Sequence, residues 1–273
     1  MNKHTIIYRR TGQWAVLLLV LSLLAAACAT VPITGRSQLR IIPDSEMLAM
    51  SFQQYDEFLQ EHTLSRDSRD TQLVQRVGNN IAHAVEQFFR ENNMEEEIQN
   101  YSWEFNLVES DEINAWCMPG GKVVVYTGIL PSTQDETGLA VVMGHEIAHA
   151  IAKHGAERMS QGLLVELGGA ALSAALQQYP TRTQELWMTA FGIGAQLGVM
   201  LPYSRTQETE ADRLGLIFMT MAGYDPHQAI DFWERMSHAG GAKPPEIIST
   251  HPSDTTRIRN IEHFLPEALS YSR

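Results

Sequence analysis

The chain has 273 residues, 44% of them apolar and 19% charged, with a formal net charge of −12. That length is enough for a full hydrophobic core and reads as one domain behind a leader. The acidic balance, with no basic stretch to neutralise phosphates, excludes nucleic acid as a main partner.

In chain order, Lys3, Arg9 and Arg10 precede an apolar run from Trp14 to Ala27, which ends in Ala25-Ala26-Ala27-Cys28. A basic start, a short apolar stretch and small residues read as an export signal over residues 1–27. The run falls short of the ~20 residues of a membrane-spanning helix. Small residues closing on a cysteine resemble a bacterial lipobox, which implies that Cys28 is lipidated and becomes the mature N-terminus. Ala29 in place of Asp points to an outer-membrane lipoprotein of the cell envelope, facing the periplasm. Cys117 then has no intrachain partner, so no internal disulfide is expected. Residues 28–43, with two prolines and a glycine, are expected as a lipidated N-terminus and tether ahead of a domain over 44–273.

Asp44-Ser45 offers an N-cap for a helix to about Glu61, and a second helix is expected from about Asp70 to Phe89. Tyr101–Val108 alternates apolar and polar residues, and Lys122–Tyr126 is β-branched and aromatic. Both read as strands, joined across Ala115–Gly121. Helices then follow over about Gln134–Met159, 162–178, 185–201, Thr206–Met221, Pro226–Ser237 and Thr255–Leu265. The result is a mostly helical α+β domain with a small antiparallel sheet. Segments 162–178 and 185–201 form an apolar pair, read as a hairpin over the core or as one that touches membrane or substrate.

The chemistry concentrates in Gly144-His145-Glu146-Ile147-Ala148-His149. Histidines four apart on a helix differ by about 40° around the axis and one turn along it, so both rings can reach one ion. Glu146, about 100° from His145, can orient a metal-activated water without ligating. Zinc with imidazole ligands and an open position suits that arrangement, with one ion per chain. His154 lies about 180° around the axis from His145 and cannot join the same ion unless the helix breaks, so it reads as structural or surface. Further along, Glu208 and Asp212 are four apart on an expected helix. One of them can ligate while the other orients a ligand histidine. Glu210 points to another face and fits a solvated carboxylate at a helix start.

With these residues in place, the sequence resembles the zinc endopeptidase family that includes HtpX and the CAAX prenyl endopeptidases, and within it the soluble bacterial lipoprotein (LoiP-like) branch. The resemblance rests on the segment 144–149, on 204–212, on Asn114-Ala115 through Pro119-Gly120-Gly121, and on Thr250-His251-Pro252 with Arg257. It implies a zincin-type domain with an H-E-x-x-H active-site helix, His145, His149 and Glu208 as ligands, Glu146 as general base and Asp212 in support. It also implies that the strand around Asn114, Ala115, Val123, Val124 and Val125 binds an extended substrate backbone. A plain hairpin is the alternative for that segment. His251 is expected either to donate to the oxyanion or to reach the zinc and block the open site. Arg257 is expected either to stabilise the oxyanion or to pair with a carboxylate. Function on this reading is endoproteolysis of unfolded or misfolded envelope proteins, on a membrane reached through the lipid. The rival is an envelope assembly factor or holdase in which the zinc is structural or latent.

Overall fold

The computed structural model describes residues 28–167, 204–238, 247, 251 and 255–272. Its first segment is not the expected tether. Strand β1 (Cys28–Thr30) pairs antiparallel with β2 (Ser37–Leu39) across a turn in which Gly35 takes φ 69°. Val31 is buried in the main core, Ile33 packs against that core, and Ile42 is buried in the smaller second core. The segment folds because it carries its own apolar anchors, and its glycine serves the turn.

Helix α1 (Asp44–Glu61) follows as expected. Helix α2 (Ser68–Glu91) is capped by Asp67, whose carboxylate accepts from the amides of Arg69 and Asp70. Between α2 and the next helices lies a three-stranded sheet, in the order β3 (Glu104–Val108), β5 (Lys122–Tyr126), β4 (Ala115–Met118). The expected antiparallel sheet is a mixed one. Ala115–Met118, expected as connection, is itself a strand antiparallel to β5, while β3 runs parallel to β5. The turn at Pro119–Gly121, with Gly120 and Gly121 both at positive φ, reverses the chain so that β5 inserts beside β3 in the same direction.

All five residues of β5 are buried because both faces of the sheet are covered. Val123 and Val125, with Phe105, Leu107 and Cys117, join the main core. Val124 and Tyr126, with Trp116 and Met118, join the second core with Met47, Tyr55 and Phe58 of α1. The alternation follows from the two-residue period of a strand.

After the short α3 (Leu130–Thr133), helix α4 (Glu136–Ile151) runs through the centre, with every residue from Gly138 to Ile151 buried. The helix expected to continue to Met159 stops here. Lys153 takes φ 59°, its ammonium bonds Asp44 at 2.9 Å and Glu97 at 2.8 Å, and α5 (His154–Leu167) starts in a new direction. Helix α6 (Arg205–Met221) opens on a capping box between Ser204 and Gln207. It crosses α4 where Gly144 meets Gly215, and a Cβ on Gly144 would stand 3.1 Å from the Gly215 carbonyl oxygen. Helices α7 (Gln228–His238) and α8 (Thr255–Leu269) pack around this pair. The apolar hairpin expected over 162–201 lies outside the described residues beyond Leu167. Among the described residues, no helix is long and apolar enough to cross a membrane.

Candidate metal centre

The glycine crossing brings two helices close enough for short side chains to meet. From α4 come His145 and His149, from α6 comes Glu208, and His251 arrives from the segment before α8. One ligand atom from each of the four lies within 4.8 Å of all the others, and all four residues are buried. The Nε2 atoms of His145 and His149 are 3.0 Å apart, and His251 Nδ1 is 3.1 Å from His145 Nε2. Glu208 Oε1 is 3.3 Å from His149 Nε2 and 2.9 Å from His251 Nδ1.

Each histidine of the pair is held from behind. His145 Nδ1 lies 2.8 Å from Asp212 Oδ1. Arg257 grips the same carboxylate with two nitrogens, at 2.7 and 2.9 Å, and reaches Glu208 Oε2 at 3.0 Å. Its guanidinium carbon sits 3.4 Å from the centre of the Trp233 ring, a stacked cation–π contact. His149 Nδ1 lies 2.8 Å from His154 Nδ1. His154 was expected to be structural or surface; it is fully buried, because the helix break at Lys153 turns it back onto the preceding turn. Glu210, expected to be solvated, is buried too and contacts His154 Nε2 at 2.8 Å. Its helix face, opposite that of Glu208, is covered by the N-terminal hairpin through Arg36 and Thr34.

The donor set fits zinc. With the Nδ1 protons of both histidines directed outward, two bare Nε2 lone pairs and a carboxylate oxygen converge, which is repulsive unless a cation lies between them. Tetrahedral zinc with bonds of about 2.0–2.1 Å separates its ligands by about 3.3 Å, close to the spacings here. Although burial opposes it, the charges of His251 and Arg257 hold Glu208 well below the usual carboxylate range. Burial keeps His149 well below the usual imidazole range, neutral and able to ligate.

Glu146 is buried beside this cluster. Among the described residues its Oε1 has no hydrogen-bond partner, and His251 Nε2 is 3.5 Å away. Burial, reinforced by Glu208 and opposed by His251 and Arg257, pushes its carboxyl up to about 7.

The expected substrate strand divides. Val123, Val124 and Val125 lie in the central strand, laddered on both sides, and cannot accept another chain. Of the two outer strands, β4 is headed by Asn114, whose carbonyl accepts from the Tyr126 amide and whose Oδ1 accepts from the Ala115 amide. Cys117 is a buried free thiol, and Cys28 opens β1.

The family model of peptidase family M48 matches residues 70–265, most of the described domain with its centre. This chain belongs to peptidase family M48. Among its relatives, the mitochondrial metalloendopeptidase OMA1 of Schizosaccharomyces pombe is 40% identical over 177 residues, covering 63% of this chain and 49% of that protein. OMA1 of Bos taurus is 33% identical over 247 residues, covering 87% and 46%. The beta-barrel assembly-enhancing protease of Escherichia coli is 31% identical over 159 residues, covering 56% and 32%. The chain thus spans about half the length of these OMA1 relatives and a third of the bacterial one.

Proposed function

We propose that this M48 chain is a zinc-dependent endopeptidase, with His145, His149 and Glu208 as metal ligands and Glu146 as general base. The observation that carries the reading is the buried convergence of those ligand atoms beside a carboxylate oxygen that has no hydrogen-bond partner among the described residues. Bound zinc would supply Lewis-acid activation of a water and of the scissile carbonyl. Glu146, with its carboxyl near neutrality, takes a proton from the water and returns it to the leaving amine. Asp212 orients His145, and Arg257 neutralises Asp212 and Glu208. That pairing favours a positioning role for Arg257 over direct oxyanion contact. An extended substrate would add to the outer edge of β4, at Ala115–Met118.

A second reading draws on His251. Its Nδ1 approaches Glu208 and His145 as closely as a fourth ligand would, and fully protein-ligated zinc is structural or latent. Ile247, four residues earlier, donates its amide to the Ile113 carbonyl near the head of β4, so one segment reaches both the ligands and the substrate edge. This supports a latent protease, or a holdase that keeps its zinc closed.

The test is zinc content and cleavage of an unfolded protein such as casein, for the wild type and Glu146→Gln. Both should bind one zinc, and only the wild type should cleave. Should both bind zinc without cleaving, His251→Ala decides: cleavage on opening means latency, and continued inactivity means the holdase reading. Absence of metal from both rejects the site.

We further propose that residues 1–27 export the chain, that Cys28 is lipidated in the outer membrane, and that misfolded envelope proteins are the substrates. Support comes from the basic, apolar and small-residue order ending on Cys28, and from the similarity to the beta-barrel assembly-enhancing proteases. Because the residues after Cys28 fold onto the domain, the centre would work close to the bilayer rather than on a long leash. Fatty-acid labelling that is abolished in Cys28→Ala is the expected result.

A further inference from the structure

Behind His149 runs a line of polar contacts that the proposed mechanism does not use. His149 Nδ1 meets His154 Nδ1, and His154 Nε2 meets Glu210 Oε2, each at 2.8 Å. Glu210 accepts from Thr34 Oγ1 and, at 2.8 Å, from Arg36 Nε. The terminal nitrogens of Arg36 hold Glu157 at 2.8 and 3.1 Å. The line therefore starts at a metal-facing ring and ends in the N-terminal hairpin, more than a hundred residues away in sequence.

Its proton arrangement follows from donor chemistry. An ionised carboxylate can only accept, so His154 carries its proton on Nε2, toward Glu210. A neutral His154 then has a bare Nδ1, and His149 must donate to it from its own Nδ1. His149 is left with Nε2 unprotonated and aimed at the cluster of ligands, the tautomer that a metal requires. Without Glu210, His154 can move its proton to Nδ1, and the two rings then compete instead of cooperating. Arg36 in turn fixes the Glu210 carboxylate in place, from a hairpin anchored by buried Val31.

We infer that His154, Glu210 and Arg36 form a positioning relay that sets the tautomer and ring orientation of His149, making the N-terminal hairpin part of the metal centre. The inference rests on the proposed ligand role of His149. The helix break at Lys153 is what permits it, since an unbroken helix would carry His154 away from His149.

The experiment reads zinc retention, not turnover. The zinc-loaded full-length protein is titrated with a chromophoric chelator beside His149→Ala, His154→Ala, His154→Gln and Arg36→Ala. Thermal unfolding of each metal-free form measures any general loss of structure. His154→Ala should weaken zinc binding by about 10–100-fold, the usual effect of removing a group that orients a metal-bound histidine. Arg36→Ala should weaken it by a smaller factor. His154→Gln, whose amide offers an acceptor to His149 and a donor to Glu210, should recover part of the loss. Zinc affinity unchanged in both His154→Ala and Arg36→Ala overturns the relay. If His154→Ala fails to fold, Arg36→Ala decides alone, because its side chain lies at the rim and unchanged affinity there has the same meaning. Equal zinc binding by the wild type and His149→Ala would instead reject His149 as a ligand, and the relay with it.

Discussion

The two histidines of the H-E-x-x-H helix are supported in different ways. Behind His145 stands Asp212, pinned by an Arg257 that is itself buried and stacked on Trp233, all within the helical core. Behind His149 stands His154, pinned by Glu210 and then by a half-buried Arg36 on a hairpin that precedes the domain's first helix. Each support delivers a fixed acceptor to an outward imidazole N–H. They differ in what removal exposes. Loss of Arg257 strands Asp212 and Glu208 deep in the interior, whereas Arg36 is partly exposed, so its loss lets water reach Glu210 and Glu157, which keep His154, Thr34 and Gln207 as partners. One support is therefore bound to global stability, and the other is free to tune metal affinity.

That contrast can be broken by experiment. Arg257→Ala should cost about 3–5 kcal/mol in denaturant unfolding, because Asp212 and Glu208 lose their buried counter-charge. Arg36→Ala should fall well short of it. Similar losses for the two variants would erase the distinction. Gly144→Ala should cost about 1–3 kcal/mol and loosen zinc, since its new methyl meets the Gly215 backbone, which has no side chain to move aside. A stability loss with zinc affinity intact would mean that the ligands tolerate a wider spacing of α4 and α6.

A double-mutant cycle sharpens the comparison further. His154→Ala and Arg36→Ala should couple in zinc affinity by about 0.5–3 kcal/mol, as members of one network do. Arg36→Ala and Arg257→Ala should be additive within about 0.5 kcal/mol. The smallest effect concerns the Lys153 corner. Although burial opposes it, Lys153 and Arg40 hold Asp44 below its usual carboxylate range. A lowered folded pKa contributes stability above the unfolded value of about 3.9, and that contribution disappears as pH falls. Asp44→Asn should therefore cost about 0.2–1 kcal/mol at pH 7, and progressively less as pH falls below about 3.9.

Much of the centre was legible from spacing. His145 with His149, and Glu208 with Asp212, are four apart on helices, so their convergence is a local property. The relay was not legible. Its contacts join residues up to 176 positions apart, and it depends on a non-glycine residue adopting positive φ at Lys153. The charged Lys153 beside Gly155, at the end of an otherwise apolar helix, was the one hint of a break. Glu210 was misread for a related reason: helical periodicity tells which face a carboxylate occupies, but not what covers that face. Val123–Val125 read equally well as an edge or a central strand, because an apolar run records burial and not hydrogen-bond partners.

Residue types and spacing carry the proposed chemistry: candidate ligands at helical spacing, a carboxylate between the histidines as proposed base, and elements whose periodicity matches the fold. Only the tertiary structure shows that Val123–Val125 form the central strand, that Arg257 pairs with carboxylates, that His251 approaches Glu208 and His145, and that the N-terminal hairpin reaches Glu210 and, through His154, the back of His149. Local geometry follows from residues a turn apart, whereas burial and long-range pairing depend on how the whole chain closes, which no short stretch encodes.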